Sequence, residues 1–121
     1  MDSFHISLKD NTVEDFEKLL KSNQSIVISN ECKERVIECR EYLDKTITES
    51  KKPIYGITTG FGSLHNLSID LNDLSKLQKN LVISHACGVG EHVPPDIIKL
   101  MMVLKIKSLC YGYSGVKLQT V

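Results

Sequence analysis

The hydrophobic and polar positions near the start of the chain predict a strand, a helix and a second strand. Residues Phe4–Leu8 alternate in polarity as a short strand does, and Ile26–Ile28 are a run of β-branched residues typical of strands. Thr12 offers a helix N-cap, and Asp15 stands where a capping box needs a side-chain acceptor. We therefore expect a short helix over residues 13–21 between the two strands.

A longer amphipathic helix is predicted over about residues 31–49, capped by Ser29 or Asn30. Its apolar residues recur every three or four positions, which places them on one face of the helix. That face consists of Cys32, Val36, Cys39, Leu43 and Ile47. The opposite face is polar, so we expect the helix to bury one side and expose the other.

Residues 54–67, called here the glycine loop, have no usable helical period. A loop of about 14 residues in a compact domain is uncommon and is often functional. A helix is expected to begin at Asp70–Asp73 and to end near Gly88 and Gly90. Its apolar stripe consists of Leu74, Leu77, Leu81 and His85.

The last predicted helix, over residues 97–110, is apolar on almost every side. Pro94 and Pro95 favour a helix start there, and Asp96 is placed favourably at its N-terminal end. Such a helix needs partners on several sides, whereas the other helices offer one apolar stripe each. We therefore expect the 121 residues to be part of something larger or of an obligate oligomer.

The composition fits a single, mainly α domain over residues 1–121 with one or two short strands. Hydrophobic residues make up 41% of the chain, and 15 basic side chains balance 15 acidic ones. This balance argues against a nucleic-acid binder, and no apolar run approaches the roughly 18 residues of a membrane span. The first ten residues lack a secretory signal, so we expect a cytoplasmic protein with reduced cysteines.

Two side chains are candidate chemical groups. Tyr55 lies at the mouth of the glycine loop, and a phenol acts as a base at neutral pH only with help from a cation or a hydrogen bond. The alternative for Tyr55 is a packed aromatic ring. His85 is either a core histidine satisfied by a neighbour or a polar group aimed into a cleft. The set His85, Cys87 and His92 has no evident fourth ligand, so we predict no metal site.

Three blocks of sequence resemble one known family. They are the segment Tyr55-Gly-Ile-Thr-Thr-Gly-Phe-Gly, the segment Leu77–Glu91 and the segment Lys107–Val116. In this order and spacing they resemble the N-terminal part of the aromatic amino acid lyases. The pair Ser84-His85 resembles the histidine ammonia-lyases more than the phenylalanine enzymes. The resemblance covers most of residues 5–121.

The resemblance implies an enzyme of histidine catabolism that eliminates ammonia from L-histidine and gives trans-urocanate. It implies that Tyr55 is a lid tyrosine acting as acid or base, and that His85 contacts the substrate side chain. The lid would include Gly56, Gly60, Phe61 and Gly62. The resemblance further implies a methylidene-imidazolone cofactor built from an internal Ala-Ser-Gly, and a homotetramer whose active sites are shared between subunits.

The chain departs from the family pattern because no Ala-Ser-Gly occurs in its 121 residues. The long helices of the family's central bundle are also missing. We therefore expect an N-terminal lyase segment that is inactive alone. Two alternatives stay open, namely a tyrosine or phenylalanine ammonia-lyase or aminomutase of the same family, and a catalytically inert helical interaction module.

Overall fold

The computed structural model describes residues 3–50, 52–65 and 67–121, and it confirms a mainly α architecture with two short strands. The strands are β1 (Ser3–Ile6) and β2 (Ser25–Ile28). The helices are α1 (Val13–Lys21), α2 (Asn30–Glu49), α3 (Leu74–His85) and α4 (Pro95–Cys110). Short 3-10 turns lie at Gly62–Leu64, Leu71–Asp73 and Leu118–Thr120.

The chain divides into two compact units, and each is described by itself. The packing unit comprises Met1–Asp44 and His92–Val121, and the loop unit comprises Lys45–Glu91. The expectation of a single domain over residues 1–121 stays a prediction.

The packing unit begins with a strand–helix–strand segment. Strands β1 and β2 pair in parallel, with Phe4 opposite Ile26 and Ile6 opposite Ile28. The predicted capping box is confirmed, since the Asp15 backbone N–H donates to Thr12 Oγ1 and the Thr12 N–H donates to Asp15 Oδ2. This reciprocal pair satisfies two backbone donors at the start of α1.

Strand β1 ends at Ile6, so the prediction that it continues to Leu8 is wrong. The Ile6 carbonyl accepts the last cross-strand hydrogen bond, from the Ser29 N–H at 2.9 Å. The Ser7 hydroxyl then accepts from the Lys9 N–H at 3.3 Å. A local side-chain bond of this kind favours a turn over an extended strand.

The core of the packing unit brings together β1, α1, α2 and α4. Its buried members are Ile6, Leu19, Cys32, Val103 and Cys110. Half-buried apolar side chains complete it, among them Phe4 and Phe16, whose ring centroids lie 6.1 Å apart. The predicted stripe of α2 therefore faces inward, with Cys32 and Val36 buried and its later members half-buried.

Helix α4 is only partly covered, as its composition predicted. Val103, Leu109 and Cys110 are buried, whereas Ile97, Ile98, Met101, Met102 and Leu104 are exposed. The Lys99 ammonium lies on α4 and donates to the carbonyls of Leu19 and Ser22 at 3.2 and 3.4 Å. A cation at the C-terminal end of α1 complements the helix dipole there.

Gly112 marks the end of α4. Its φ is +74°, and a Cβ built there would lie 2.8 Å from the Arg35 carbonyl oxygen. Only glycine accommodates both the left-handed backbone and the close approach to α2 without strain.

Candidate functional site

The start of the glycine loop is a hydrogen-bonded turn within the loop unit. The Ile57 and Thr58 N–H groups both donate to the Ile54 carbonyl, at 3.0 and 2.9 Å. The Ile54 N–H donates in return to Thr58 Oγ1 at 2.8 Å. The turn therefore presents Tyr55 at its outer end, with the Tyr55 side chain 63% exposed.

Thr58 and Thr59 anchor this turn as buried polar residues. Thr59 Oγ1 accepts from the Gly56 N–H at 3.3 Å and donates to the Gly60 carbonyl at 3.0 Å. Thr59 also forms an isolated antiparallel bridge with Ser68. Buried polar groups need hydrogen-bond partners, and the Thr59 hydroxyl has one as acceptor and one as donor. This part of the predicted loop is therefore well anchored.

Phe61 packs against both candidate groups. Its ring lies edge-on to Tyr55 at a centroid distance of 5.5 Å and edge-on to His85 at 6.4 Å. Gly56 has φ +70°, and a Cβ there would lie 2.6 Å from Phe61 Cε1. The glycine therefore leaves space for the Phe61 ring beside the Tyr55 turn.

Tyr55 and His85 are thus brought to one aromatic row, but the Phe61 ring lies between them. The roles of Tyr55 as acid or base and of His85 as a substrate contact stay predictions, because the two rings contact Phe61 and not each other. Both of these terminal side chains are exposed, and Phe61 is 44% exposed.

The Tyr55 hydroxyl has a long polar contact within the loop. The Gly62 N–H points to Tyr55 Oη at 3.5 Å, and the φ of +57° at Gly62 permits this backbone orientation. A backbone donor has no residue signature, so this contact could not be predicted from the sequence.

His85 lies in α3 one turn after Leu81, as the predicted stripe has it. Leu74, Leu77 and Leu81 are half-buried, whereas His85 is exposed at the last position of the helix. The helix ends there and not near Gly88, because Ala86 leaves the helical region and the Cys87 N–H turns back to the His85 carbonyl. In the described chain His85 is therefore an exposed residue, and its role at a cleft stays a prediction.

The hydrogen bonds of His85 define its tautomer. Nδ1 lies 2.7 Å from the Leu81 carbonyl oxygen and 3.1 Å from Ser84 Oγ. Since a carbonyl oxygen only accepts, Nδ1 carries the proton. In the neutral ring, Nε2 is then an acceptor that is suited to an N–H or O–H group of a ligand.

Gln78 is a contact that the sequence analysis missed. Its Nε2 donates to the carbonyls of Gly56 and Ile57 at 3.1 and 3.2 Å. It therefore joins α3 to the turn that carries Tyr55. The only available signal was its place in the block beginning at Leu77, which does not by itself indicate a loop contact.

The remaining polar groups give no metal-binding cluster. Nowhere in the described ranges do three or more His, Cys, Asp or Glu side chains gather as metal ligands would. Cys87 is exposed and Cys39 half-buried, whereas Cys32 and Cys110 are buried, and all four are free thiols. Among the described helices, none combines the length and apolar character needed to cross a membrane.

The residues present do not fit the precursor of a methylidene-imidazolone. That group is built from Ala-Ser-Gly, and the single alanine of the chain, Ala86, is followed by Cys87 and Gly88. Ala86 is also the exposed residue that ends α3. These 121 residues therefore do not contain the tripeptide that the family resemblance implies as its precursor.

The comparisons with known proteins all indicate the same family. The family model described as aromatic amino acid lyase matches residues 11–121. Histidine ammonia-lyase from Caldanaerobacter subterraneus subsp. tengcongensis is 41% identical over 110 residues, which are 91% of this chain and 22% of that protein. Histidine ammonia-lyase from Legionella pneumophila (strain Lens) is 43% identical over 105 residues, 87% of this chain and 21% of that protein. The chain spans about a fifth of the length of the curated relatives it matches.

Two solved structures share the fold over nearly the whole chain. Ergothionase from Treponema denticola, an ergothioneine-degrading enzyme, superposes with a TM-score of 0.90 at 25% identity, covering 98% of this chain and 24% of that one. Tyrosine aminomutase from Streptomyces globisporus superposes with a TM-score of 0.85 at 28% identity, covering 96% of this chain and 22% of that one. The same segment fold thus occurs in enzymes of different reactions.

Proposed function

Since the chain belongs to the aromatic amino acid lyase family, we propose that it forms the lid-bearing segment of an ammonia-lyase acting on L-histidine. The observation that carries this proposal is the row of rings Tyr55, Phe61 and His85, which links a loop phenol to a helix imidazole. Relatives that are 41% and 43% identical are histidine ammonia-lyases, which supports histidine as the substrate.

The reaction removes ammonia and one proton from the amino acid. The Cα–N bond breaks with its electron pair leaving on nitrogen, the Cβ–H bond breaks with its proton taken by a base, and the Cα=Cβ double bond of trans-urocanate forms. In this proposal Tyr55 Oη is the acid or base that exchanges a proton with the substrate. The family's methylidene-imidazolone supplies the electrophile when present, and it would come from residues other than these.

His85 would recognise the substrate ring in this proposal. With the Nδ1 proton held by the Leu81 carbonyl, Nε2 is free to accept from the imidazole N–H of histidine. A phenyl ring has no such donor, so this arrangement disfavours phenylalanine. A site that is built to hydrogen-bond a ring N–H rejects an analogue without one strongly.

The test is turnover of the complete protein that carries these residues. We expect L-histidine to be consumed with a rise in urocanate absorbance, and the Tyr55→Phe variant to lose turnover by roughly 10²–10⁴-fold, the range of general acid–base catalysis. Tyr113→Phe is the matched control, because Tyr113 is another exposed tyrosine, 84% accessible, in the other unit. Unchanged turnover in Tyr55→Phe would remove the phenol from the mechanism.

An aminomutase is the second candidate, supported by the fold shared with tyrosine aminomutase. The phenol O–H of tyrosine would also satisfy the Nε2 acceptor of His85. Product analysis with histidine and tyrosine in parallel separates the candidates, since a lyase releases ammonia and an aminomutase retains it in a β-amino acid.

The exposed apolar side of helix α4 supports an assembly in which additional protein covers that side. Its exposed apolar residues, among them Met101 at 61% and Met102 at 60% accessibility, form a larger apolar surface than single scattered residues do. We propose that this side is covered in a homotetramer, and alternatively that it lets the chain act as an interaction module. A monomer in sedimentation of the complete protein would contradict the homotetramer.

A further inference from the structure

We propose that Gln78 is a positioning residue that holds the Tyr55 turn on helix α3. This inference rests on the proposed function for its effect on catalysis, but its structural part is independent of the reaction. Gln78 does not touch the reacting atoms in this proposal and acts through Tyr55.

The geometry is that of a two-pronged clamp. An amide nitrogen carries two hydrogens, and Gln78 Nε2 has one acceptor for each, the Gly56 carbonyl at 3.1 Å and the Ile57 carbonyl at 3.2 Å. These are the two carbonyls that immediately follow Tyr55 in the chain. Both bonds must break, or rotate together, before the turn can move away from α3.

The clamp and the imidazole lie on the same helix. Gln78 precedes His85 by seven residues, which is about two helical turns, so the two residues share one face of α3 at an axial separation of roughly 10 Å. The phenol-bearing turn is therefore tied to the rigid element that carries the second candidate group. Groups held on one rigid element keep their mutual geometry better than groups on separate loops.

The other side-chain hydrogen bonds of the turn do not supply this link. The bonds of Thr58 and Thr59 to Ile54, Gly56 and Gly60 stay within the loop. They shape the turn, whereas the Gln78 amide ties its backbone to α3. Gln78 is exposed, so its replacement removes two hydrogen bonds without leaving a cavity.

The structural part is tested by hydrogen exchange in the complete protein. Gln78→Glu replaces the donor nitrogen with an acceptor, and Gln78→Met removes the donors without adding charge. Asn80→Asp is the matched control, since it makes the same amide-to-carboxylate change on another side of α3. We expect peptides covering residues 54–59 to exchange several-fold faster in both Gln78 variants than in the control. Unchanged exchange in both would overturn the clamp.

The catalytic part is tested by a double-mutant cycle. We expect either Gln78 variant to lower kcat roughly tenfold with a smaller change in KM, because loss of two hydrogen bonds makes the competent lid position rarer. In a Tyr55→Phe background, the same Gln78 variants should lower kcat no further. A general structural role would lower kcat equally in both backgrounds, and that result would overturn positioning through Tyr55.

The two proposals fail in different ways. If Tyr55→Phe retains full turnover, the proposed function fails whatever the exchange experiment shows. If Tyr55→Phe is inactive, and the Gln78 variants open the turn while retaining full turnover, the positioning role fails and the proposed function stands.

Discussion

The packing unit and the loop unit are stabilised in different ways. The buried hydrophobic residues of the described chain all belong to the packing unit, from Ile6 to Cys110. In the loop unit the described buried side chains are Thr58 and Thr59, while Val82 is 70% and Val89 is 94% exposed. Apolar burial therefore holds one unit, and hydrogen bonds shape the other.

This difference indicates which of the two units is suited to carry functional residues. Segments with few buried apolar contacts open at low free-energy cost, and lids and binding loops are drawn from them. The candidate groups Tyr55, Phe61 and His85 all lie in the loop unit. The packing unit, by contrast, has the features of a scaffold, with capped helices and a shared core.

The largest effect in this comparison is expected from a matched pair of leucine substitutions. Leu19 in the packing unit is 1% exposed and Leu67 in the loop unit is 58% exposed. We expect Leu19→Ala to lower the free energy of unfolding by about 2–5 kcal/mol because it leaves a cavity in the core. Leu67→Ala should lower it by less than about 1 kcal/mol. Urea denaturation measures both, and similar losses would refute the contrast between the units.

A smaller effect is expected when the polar anchor of the loop unit is removed. Thr59→Val keeps the shape of the side chain but takes away the hydroxyl between the Gly56 N–H and the Gly60 carbonyl. Leaving the Gly56 N–H and the Gly60 carbonyl without this partner costs about 1–3 kcal/mol. We therefore expect faster hydrogen exchange of the Gly56 amide. Thr120→Val, at an exposed threonine of the packing unit, is the control and should leave that amide unaffected.

The smallest effect is expected on the free energy of unfolding when the buried Cys110 thiol is exposed to alkaline pH. Burial, with the neighbouring Cys32 thiol, raises the pKa of Cys110 to about 11. The unfolded chain loses this proton near pH 8.5, so the unfolded state binds fewer protons and stability falls as the pH rises from there towards 11. The urea midpoint should fall over this range, and less steeply in Cys110→Ala.

The exposed Cys87 of the loop unit provides the comparison for that experiment. Cys87→Ala should leave the alkaline slope of the urea midpoint unchanged. Alkylation of the folded chain at neutral pH should modify Cys87 before Cys32 and Cys110, because the latter two are buried. Early modification of Cys110 would show that the core of the packing unit opens readily.

Local patterns predicted the regular elements well. The capping box of Thr12 and Asp15 sets the start of α1, and Pro94 and Pro95 set the start of α4. The stripe of α2 faces the core as its spacing predicted. These features depend on residues a few positions apart, which is the range over which helix capping and periodicity act.

Long-range contacts account for what the pattern could not predict. The parallel pairing of β1 with β2 joins residues 22 positions apart, and the Phe61 contact with His85 joins residues 24 apart. The Gln78 clamp joins residues 21 and 22 positions apart. The predicted stripe of α3 holds three half-buried leucines, Leu74, Leu77 and Leu81, whereas the exposure of its last member, His85, could not be predicted from the spacing.

The amino-acid sequence by itself determined the helices, their caps, the family resemblance and the identity of the candidate phenol and imidazole. Only the tertiary structure decided that His85 is exposed with its Nδ1 proton on a carbonyl, and that the Tyr55 turn is bonded to α3. The physical reason is that element formation follows from local backbone and side-chain preferences. Exposure and hydrogen-bond pairing, by contrast, depend on which distant groups the folded chain brings within a few ångströms.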